Sequence, residues 1–566
     1  MSLAALRDLI NPVVQTHIPE EYIANTRLRR KDSKVLRDPI FGFITIRPYE
    51  AAIVDSPLFQ RLRSIFQTAF AYVAYPSSVH SRFEHSLSCM NLADRVYNSV
   101  ARADPKLFND TNLALVRLAG LLHDIGHCLF SHASEEYYKH LPEFDGLASD
   151  EAFQYGNPSP GEIANYCIIT SAPFHELWKK IKSEFSSEHP YIAHIEPRHI
   201  AELIVGRPPD GDHSRRYLAD IINGPIDVDK LDYITRDGYF TGVSMSIDID
   251  RLIPSLTVAN IRRQHGTGTA ERDELSLVVD HKALSVLEQM LFARMLLYDS
   301  VYHHHKVRIA AHRFLQIIND FSSKPLWPTP SKTLSTYSDL LSIDEYHFFG
   351  HQYGDATLSS LIASLKNREL QKRALVLTAR SCADELSMKL LYQLSSGLQS
   401  TKARKRSEVG AWLKALTTAA FEHASSLLTR ETSENVPGSA EKLALLGSLG
   451  ADSIVIDFPR PPKYTRMGRL SYILLSKVED EKSLVVSLSD LFPFEKLTTT
   501  YSQQYKYRSY VFSDYRLVRE VAYGMFKAMS ERSIKLNDLA LLMAHQRFSK
   551  DSAYYQLTSE GMRPPD

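Results

Sequence analysis

The chain has 566 residues, of which 44% are hydrophobic and 23% charged, and this ordinary globular composition excludes a fibrous or intrinsically disordered protein. Its 66 Lys and Arg residues balance its 66 Asp and Glu residues, so net charge does not favour nucleic acid or membrane as a partner. Basic stretches at 27–34 and 402–406 keep nucleic-acid binding as a weak alternative.

The N-terminus and the cysteines indicate the compartment. Arg7 and Asp8 interrupt the first apolar stretch, which is unlike a secretory signal, and no stretch is long and apolar enough to span a bilayer. The four cysteines are not spaced as Cys-x-x-Cys, which argues against a disulfide framework and against a thiolate zinc site. We therefore expect a soluble, intracellular, cytoplasmic protein with no membrane partner.

Helical periodicity dominates the N-terminal part of the chain, and short strands dominate the C-terminal part. Apolar spacing predicts helices over 57–75, 81–100, 109–127 and 281–318, with Ser81 and Glu84 forming a capping box. Alternating residues predict strands over 453–464, 470–477, 483–492 and 505–513, followed by a helix over 514–529.

These elements predict a mainly α protein with a helical core and a smaller C-terminal α+β lobe. The predicted segments are an N-terminal extension (1–34), the helical core (35–330), a helical continuation (331–449) and the α+β lobe (450–566).

The stretch GLLHDIGHCLFSH at 120–132 carries the chemistry. We expect His123, Asp124 and His127 to share one helix, and imidazoles beside a carboxylate suit Mn, Fe, Zn or Mg. Arg82 and His85 lie three residues apart on the preceding helix, and DVDKLDYITRD at 227–237 adds four aspartates. So many polar groups on apolar helices predict a polar pocket, although core histidines satisfied by hydrogen bonds are the alternative.

The pattern H…HD…D, here His85, His123, Asp124 and Asp229, resembles the metal set of the HD superfamily of metal-dependent phosphohydrolases. Segments 38–46, 55–67, 80–88, 118–132 and 227–237 follow one another as in its dNTP triphosphohydrolase branch, which includes SAM-and-HD-domain and bacterial dGTPase-like proteins. The similarity covers about residues 35–320, so the predicted core is an HD phosphohydrolase core. No SAM domain is recognisable before residue 35.

The resemblance implies hydrolysis of a dNTP at the α-phosphate, giving a deoxynucleoside and inorganic triphosphate. It implies that a divalent metal of unknown identity is bound by His85, His123, Asp124 and Asp229. It also implies catalytic and substrate-binding roles for further residues: His132 beside the α-phosphate, His127 and Glu135 as a supporting pair, Arg82 and Lys230 at phosphates, Gln67, Tyr233 and Asp237 at the sugar, and His303 and Lys306 on a nucleotide-contacting helix.

A second nucleotide site is also implied by the resemblance. Asp55, Gln60, Arg63 and Arg251 match residues that bind a regulatory nucleotide between subunits, so we expect a homo-oligomer, either a dimer or a tetramer. Whether such a nucleotide activates or inhibits is not specified. Neither are the preferred base and the biological role, for which control of the dNTP pool and antiviral defence are alternatives.

One position departs from the family pattern. Gly161 in SPGEIANYCI (159–168) stands where the family has a histidine before a glutamate, which leaves room for lower activity, another metal or another substrate. Two alternatives therefore remain. The first is an HD phosphatase or phosphodiesterase acting on another nucleotide, and the second is a non-catalytic HD scaffold that binds nucleotide or nucleic acid.

Overall fold

The computed structural model describes most of the chain. The residues outside the description are 25–31, 154–157, 244–246, 265–270, 323–326, 329–330, 352, 399–402, 460–470, 477–483, 493–495, 497–507 and 543–566. Parts of both basic stretches and of the strands predicted over 453–464, 470–477, 483–492 and 505–513 therefore lie outside the described residues.

The described chain is mainly α-helical, with small sheets toward its C-terminal end, and the predicted fold class is confirmed. Among the described residues, no helix is both long and apolar enough to cross a bilayer. The α-helices are Leu3–His17, Glu20–Ala24, Pro48–Val54, Pro57–Gln60, Arg82–Ala103, Asp110–Leu122, His132–Tyr138, Pro160–Ile169, Ala172–Phe185, Pro197–Ile204, Arg216–Asn223, Val228–Thr241, Ile249–Leu252, Leu284–Leu297, His305–Phe321, Tyr337–Leu341, Glu345–Gly350, Ala356–Lys366, Glu385–Leu398, Ala403–Ser433, Ser439–Leu449, Leu488–Leu491, Val518–Ser530 and Leu539–Leu542.

The chain divides into two compact units. The first unit comprises Met1–Val301, Arg313–Lys366 and Tyr464–Phe494, and the second comprises Tyr302–His312, Asn367–Lys463 and Glu495–Asp566. The domain limits expected from the sequence stay a prediction.

The core of the first unit includes the packing of helix Arg82–Ala103 against helix Asp110–Leu122. The two helices approach closely at Gly120, where an added Cβ would lie 2.9 Å from the Cys89 carbonyl oxygen. Glycine therefore allows the helix that leads to His123 to lie directly against the helix that carries His85.

Three of the described sheets belong to the first unit, one of them the short pair Trp327–Pro328 with Ser331–Lys332, and one three-stranded sheet belongs to the second. An antiparallel hairpin pairs Lys34–Asp38 with Gly42–Ile46. The four-stranded sheet has the order Leu484–Ser487, Tyr472–Ser476, Glu271–Asp280 and Leu256–Gln264, and its central pair is parallel. In the second unit, strands Lys372–Leu377 and Val455–Asp457 flank Ser509–Ser513 in an antiparallel sheet.

The first predicted helix, over 57–75, is wrong. The chain forms only Pro57–Gln60 and two short 3-10 turns there, because Ala69 has a positive φ of 50° and the amide of Gln67 bonds to the His80 carbonyl (3.0 Å).

The long helix predicted over 281–318 is not continuous. It is interrupted by a π-helical turn at Tyr298–Tyr302, so that His303 and His304 lie between two helices and not on one.

Candidate active site

The helix Arg82–Ala103 begins at a capped turn that fixes its first residues. The Ser81 hydroxyl accepts a hydrogen bond from the Phe83 amide (3.3 Å), and Glu84 accepts one from the Ser81 amide (2.7 Å), so the predicted capping box is confirmed. His85 lies in the first turn beyond this cap and is fully buried. The position of its imidazole is therefore set by both the cap and the core.

Residues 123–127, here called the HD turn, follow the helix Asp110–Leu122 and do not continue it. The prediction that His123, Asp124 and His127 share one helix is therefore wrong.

Side chains from distant segments hold the backbone of the HD turn. Asn165 Oδ1 accepts a hydrogen bond from the Gly126 amide (2.6 Å), and the Tyr337 hydroxyl donates one to the Gly126 carbonyl (2.7 Å). Arg61 Nη1 donates to the His127 carbonyl (2.7 Å). A Cβ on residue 126 would lie 2.7 Å from Asn165 Oδ1, so only glycine leaves room for this contact. These bonds satisfy backbone groups of the turn, which explains why the helix can end before it.

Four donor atoms converge in front of the HD turn. His85 Nε2 lies 3.1 Å from His123 Nε2 and 3.3 Å from Asp124 Oδ2. Asp229, in the first turn of helix Val228–Thr241, places its Oδ1 atom 3.2 Å from His85 Nε2 and 3.8 Å from His123 Nε2. The structure thus brings together all four residues that the sequence predicts as metal ligands.

Each imidazole is oriented by its other nitrogen. His85 Nδ1 lies 2.6 Å from Asp232 Oδ2, and Asp232 is itself paired with the fully buried Arg236 at 2.9 Å. His123 Nδ1 lies 2.8 Å from the Gly120 carbonyl oxygen. Both Nδ1 atoms face acceptors, so with a metal ion bound they would carry the protons and both Nε2 lone pairs would face the shared centre. Two such nitrogens and two carboxylates fit a divalent cation of borderline or hard character.

The charges in this cluster favour ionised carboxylates. Burial acts to raise the pKa of Asp124, but Arg82 and the neighbouring imidazoles hold it well below its ordinary value. Burial likewise opposes ionisation of Asp229, whereas His123 and His85 lower its pKa well below the usual range. The carboxylates are therefore charged at neutral pH, as metal ligands must be.

Sequence reasoning missed Cys89 as a neighbour of this cluster. Its Sγ atom lies 3.7 Å from His85 Nδ1, and donor atoms of His85, Cys89 and His123 all lie within 4.8 Å of one another, so these three residues could also hold a metal ion. Burial raises the pKa of the Cys89 thiol, which keeps it protonated. The signal was present in the sequence, because Cys89 follows His85 by one helical turn.

Of the three predicted catalytic residues, His127 ends the HD turn, and His132 and Glu135 follow it. His132 is 72% exposed and its Nδ1 atom lies 3.0 Å from Glu135 Oε2, while His127 Nε2 lies 3.2 Å from Asp124 Oδ1. The structure therefore pairs Glu135 with His132, and His127 with Asp124. Burial and the charge of Arg82 lower the pKa of His127 to about 4, so that imidazole is neutral at neutral pH.

Glu135 is ionised in this setting. Burial by itself would raise its pKa, but the hydrogen bond and the charge of His132 lower it to about 2. The Gly161 amide donates to Glu135 Oε1 (3.4 Å), and a Cβ on residue 161 would lie 3.5 Å from that same oxygen. Gly161 thus places a backbone amide beside Glu135 where the family pattern has an imidazole.

The two predicted phosphate-contacting cations are held by carboxylates. Arg82 is buried, and its Nη1 atom donates to Asp124 Oδ2 (2.5 Å). Lys230 Nζ donates to the Asp227 carboxylate and to the Gly224 carbonyl (3.0 Å). Both positive charges therefore lie on the same elements as the ligand cluster, in fixed positions.

The predicted sugar-contacting residues lie in the same unit and have different surroundings. Asp237 is buried, and its Oδ1 atom lies 2.8 Å from Nε2 of His80, a residue that sequence reasoning missed. Tyr233 hydrogen-bonds to the Arg294 guanidinium, and burial raises the pKa of its phenol. The Gln67 Oε1 atom is buried and has no hydrogen-bond partner in the described part of the chain.

His303 and Lys306 belong to the second unit, whereas the other predicted site residues belong to the first. Lys306 Nζ donates to the Gln371 carbonyl (3.2 Å), and burial together with nearby cations lowers its pKa to about 8. Burial and the charge of Arg308 lower the pKa of His303 to about 3.

The predicted regulatory residues lie on two separate segments of the first unit. Gln60 Oε1 accepts from Arg63 Nε (2.8 Å), and the Arg63 guanidinium lies 3.5 Å from the centre of the Phe83 ring. Asp55 is paired with Lys34 Nζ at 2.6 Å. Arg251 is exposed and donates to the Lys282 carbonyl (3.1 Å).

Comparison with known families identifies the region around the cluster. Residues 82–237 match the model described as the HD domain, and residues 247–396 match the HD associated region. The first match begins at Arg82 and ends at Asp237, so it contains all four predicted metal ligands. The predicted resemblance to HD proteins of the dNTP triphosphohydrolase branch is confirmed.

Several curated proteins resemble part of the chain. The deoxynucleoside triphosphate triphosphohydrolase SAMHD1 homolog of Dictyostelium discoideum is 32% identical over 40% of this chain and 40% of its own length. SAMHD1 of Bos taurus is 30% identical over 42% of this chain and 41% of its own length. The uncharacterized protein YwfO of Bacillus subtilis is 26% identical over 60% of this chain and 71% of its own length. The chain spans about half the length of the first curated relatives that it matches.

A solved structure shares the fold. The crystal structure of a hypothetical protein from Aquifex aeolicus is similar with a TM-score of 0.55 and 21% sequence identity, covering 87% of this chain and 100% of that one. At this identity the similarity shows the fold alone.

Proposed function

We propose that this protein is a metal-dependent hydrolase that converts deoxynucleoside triphosphates to deoxynucleosides and inorganic triphosphate, because residues 82–237 match the HD domain. One observation carries the proposal: the donor atoms of His85, His123, Asp124 and Asp229 converge on one point. Curated relatives with about 30% identity are named for this reaction, which supports the substrate class.

The metal would be held by these four ligands. When bound, a divalent ion lowers the pKa of a coordinated water and offsets negative charge on the phosphate. Asp232 and the Gly120 carbonyl keep both imidazoles turned toward the ion. Arg82, which donates to Asp124, adds a fixed positive charge beside the same point, and such a charge stabilises a transition state better than a mobile one.

His132 is the proposed proton donor to the leaving 5′-oxygen of the nucleoside. Its exposed ring can reach a bound substrate, and ionised Glu135 holds Nδ1 so that Nε2 faces outward. His127 is neutral and bonded to Asp124, and in this way it supports the HD turn.

Substrate selection is proposed to rest on Lys230 at the phosphates and on Gln67, Tyr233 and Asp237 at the sugar. Gln67 brings a buried carbonyl oxygen that no described residue contacts, and it could accept a hydrogen bond from a sugar hydroxyl. His303 and Lys306 are proposed as further nucleotide contacts.

A regulatory nucleotide is proposed at Asp55, Gln60, Arg63 and Arg251 in a homo-oligomer. Arg63 is exposed on its guanidinium side, where it lies over Phe83, and a purine ring could stack in such a position. Activity that depends on a mixture of dNTPs would support this site, and the oligomeric state with and without dNTPs would test the assembly.

One observation favours a second candidate, an HD phosphatase or phosphodiesterase that acts on another nucleotide. Asp237 already pairs with His80, and Tyr233 with Arg294, so two of the proposed sugar contacts have partners within the protein. The two candidates differ in their products, because only the dNTP reaction releases inorganic triphosphate.

The test is to incubate the purified protein and Mn²⁺ or Mg²⁺ with each dNTP, singly and mixed, and to measure inorganic triphosphate. Asp124→Ala should reduce the rate at least about 1,000-fold, which corresponds to about 4 kcal/mol of transition-state stabilisation. Asp145→Ala is a suitable control because Asp145 is exposed and far in sequence from the ligands, and it should retain wild-type activity. Orthophosphate from a monophosphate or a cyclic nucleotide, without triphosphate from any dNTP, would favour the second candidate. Metal binding without turnover of any of these substrates would favour a scaffold.

A further inference from the structure

The turn just before His132 has an unusual backbone. Phe130 has φ 53°, and Ser131 has φ 47° and ψ −117°, although neither is glycine. These angles are unfavourable for residues with a Cβ and persist only where surrounding contacts enforce them. Because helix His132–Tyr138 starts at the next residue, these two residues set the position of the proposed proton donor.

Glu345 supplies the contact that enforces this backbone. Its Oε1 atom accepts a hydrogen bond from the Phe130 amide (2.8 Å) and another from the Phe66 amide (3.0 Å). Glu345 is 1% exposed and begins the helix Glu345–Gly350, which lies more than 200 residues along the chain from Phe130. One carboxyl oxygen therefore joins two segments that are remote in sequence.

A second set of bonds closes the same junction. The Ser131 hydroxyl donates to the Phe66 carbonyl (2.6 Å) and accepts from Arg82 Nε (3.1 Å). The Phe66 peptide is thus held on its amide side by Glu345 and on its carbonyl side by Ser131. Gln67, a proposed sugar contact, is the next residue.

The helix that carries Glu345 also packs on the Phe130 ring. The Phe348 ring lies 5.4 Å from it in an edge-on arrangement, and the Phe70 ring stacks on it at 4.2 Å. The strained residue is therefore fixed by its amide and by its side chain from the same helix.

A purely stabilising role explains this carboxyl poorly. Its second oxygen is buried and has no hydrogen-bond partner among the described residues, so placing an acid here costs free energy. Its side-chain bonds with other residues go to the amide of Phe66, next to Gln67, and to the amide of Phe130, two residues before His132. These bonds fix the backbone beside Gln67 and just before His132.

We propose that Glu345 is a positioning residue that fixes His132 and Gln67 through the amides of Phe130 and Phe66. The proposal rests on the proposed function, which assigns His132 and Gln67 their roles. Glu345 lies outside the ligand cluster and acts through backbone, so its effect differs from that of a metal ligand.

Two substitutions separate the acceptor from the acid. Glu345→Gln keeps an oxygen acceptor of the same reach, and it should retain kcat within about 3-fold. Glu345→Leu removes the acceptor, and it should lower kcat about 10–100-fold while KM for the dNTP and affinity for Mn²⁺ each change less than about 3-fold. If the leucine variant does not fold, Glu345→Asp, which withdraws the carboxyl group by one methylene, should show the same loss of kcat.

The matched control is Glu202→Leu. Glu202 is also 1% exposed and also accepts from a backbone amide, that of Asp210 (3.0 Å), but it lies away from the ligand cluster in sequence and contacts. This variant should lose thermal stability and keep the kcat of the folded protein.

A readout independent of turnover distinguishes this proposal from the proposed function. The rate at which diethyl pyrocarbonate modifies His132, followed by peptide mass spectrometry, should change at least 3-fold in Glu345→Leu and not in Glu345→Gln or Glu202→Leu. If no dNTP is hydrolysed by the wild type, the proposed function fails, and the His132 modification rate still decides the positioning role. Unchanged kcat and unchanged modification in Glu345→Leu, or equal damage in Glu345→Gln, would overturn the proposal.

Discussion

The HD turn and the turn before His132 lie close together in sequence but are held in different ways. The HD turn has unstrained backbone, is tied by Asn165, Tyr337 and Arg61, and leaves its polar side chains pointing at one centre. The turn before His132 is strained at two residues and presents an imidazole that is 72% exposed. In the proposed function, the first turn would hold the metal ligands and the second would support the proton donor separately.

Removing the exposed imidazole of His132 tests whether the two turns act separately, and it should change kcat more than the other substitutions below. His132→Ala should lower kcat by about 100- to 10,000-fold, because that is the usual contribution of a positioned general acid. Mn²⁺ affinity, measured by calorimetry, should stay within about 3-fold of wild type, since His132 bonds to Glu135 and packs beside the His127 ring, and neither of these is a proposed metal ligand. A loss of Mn²⁺ binding in this variant would show that the two turns form one site.

Weakening the residue that orients a metal ligand should lower metal affinity and leave kcat at saturating metal nearly unchanged. Asp232→Asn weakens the acceptor that orients His85, and metal affinity should fall about 10- to 100-fold. At saturating Mn²⁺ the kcat should recover to within about 5-fold of wild type, because the proposed proton donor is untouched. If kcat stays low at every metal concentration, Asp232 has a role beyond orienting the imidazole.

The two turns also differ in how far the sequence predicts them. The residue types of the cluster are local information, since His85, His123, Asp124 and Asp229 stand out as polar groups in apolar helices. The helix expected through His123 and His127 failed because its competitors, such as Asn165, come from elsewhere in the chain. Propensity and periodicity describe neighbours in sequence and cannot register such bonds.

The same limit explains what was missed beside the sugar-contacting residues and before His132. The pairing of His80 with Asp237 joins residues 157 positions apart, and no spacing rule connects them. The contact of Glu345 with the Phe130 amide is longer still in sequence. The mainly α class and the capping box at Ser81 were predictable because they depend on local pattern.

The smallest expected effect concerns the pH dependence of stability. Burial raises the pKa of Glu345 from 4.5 to about 8, with Asp344 adding to the shift, and the groups that interact with it include Arg61, Tyr72 and Cys128. The folded protein holds this proton more tightly than the unfolded chain. The contribution of the Glu345 proton to the free energy of unfolding is therefore fully present below pH 4.5 and is lost as the pH rises through 8.

Between about pH 5 and pH 9, the free energy of unfolding of the wild type should therefore fall relative to that of the Glu345→Gln variant, by a few kcal/mol at most. Urea unfolding of both proteins across this range measures the difference. Parallel curves would mean that the Glu345 carboxyl does not titrate there.

The proposed function requires the converging ligands to direct water to the α-phosphate. It is tested most directly by hydrolysing each dNTP in H₂¹⁸O with Mn²⁺ and locating the label by ³¹P NMR and mass spectrometry. We predict ¹⁸O in the released triphosphate, unlabelled deoxynucleoside, and neither product with Asp124→Ala. Label in orthophosphate, together with a deoxynucleoside diphosphate, would place the attack at the γ-phosphate and contradict it.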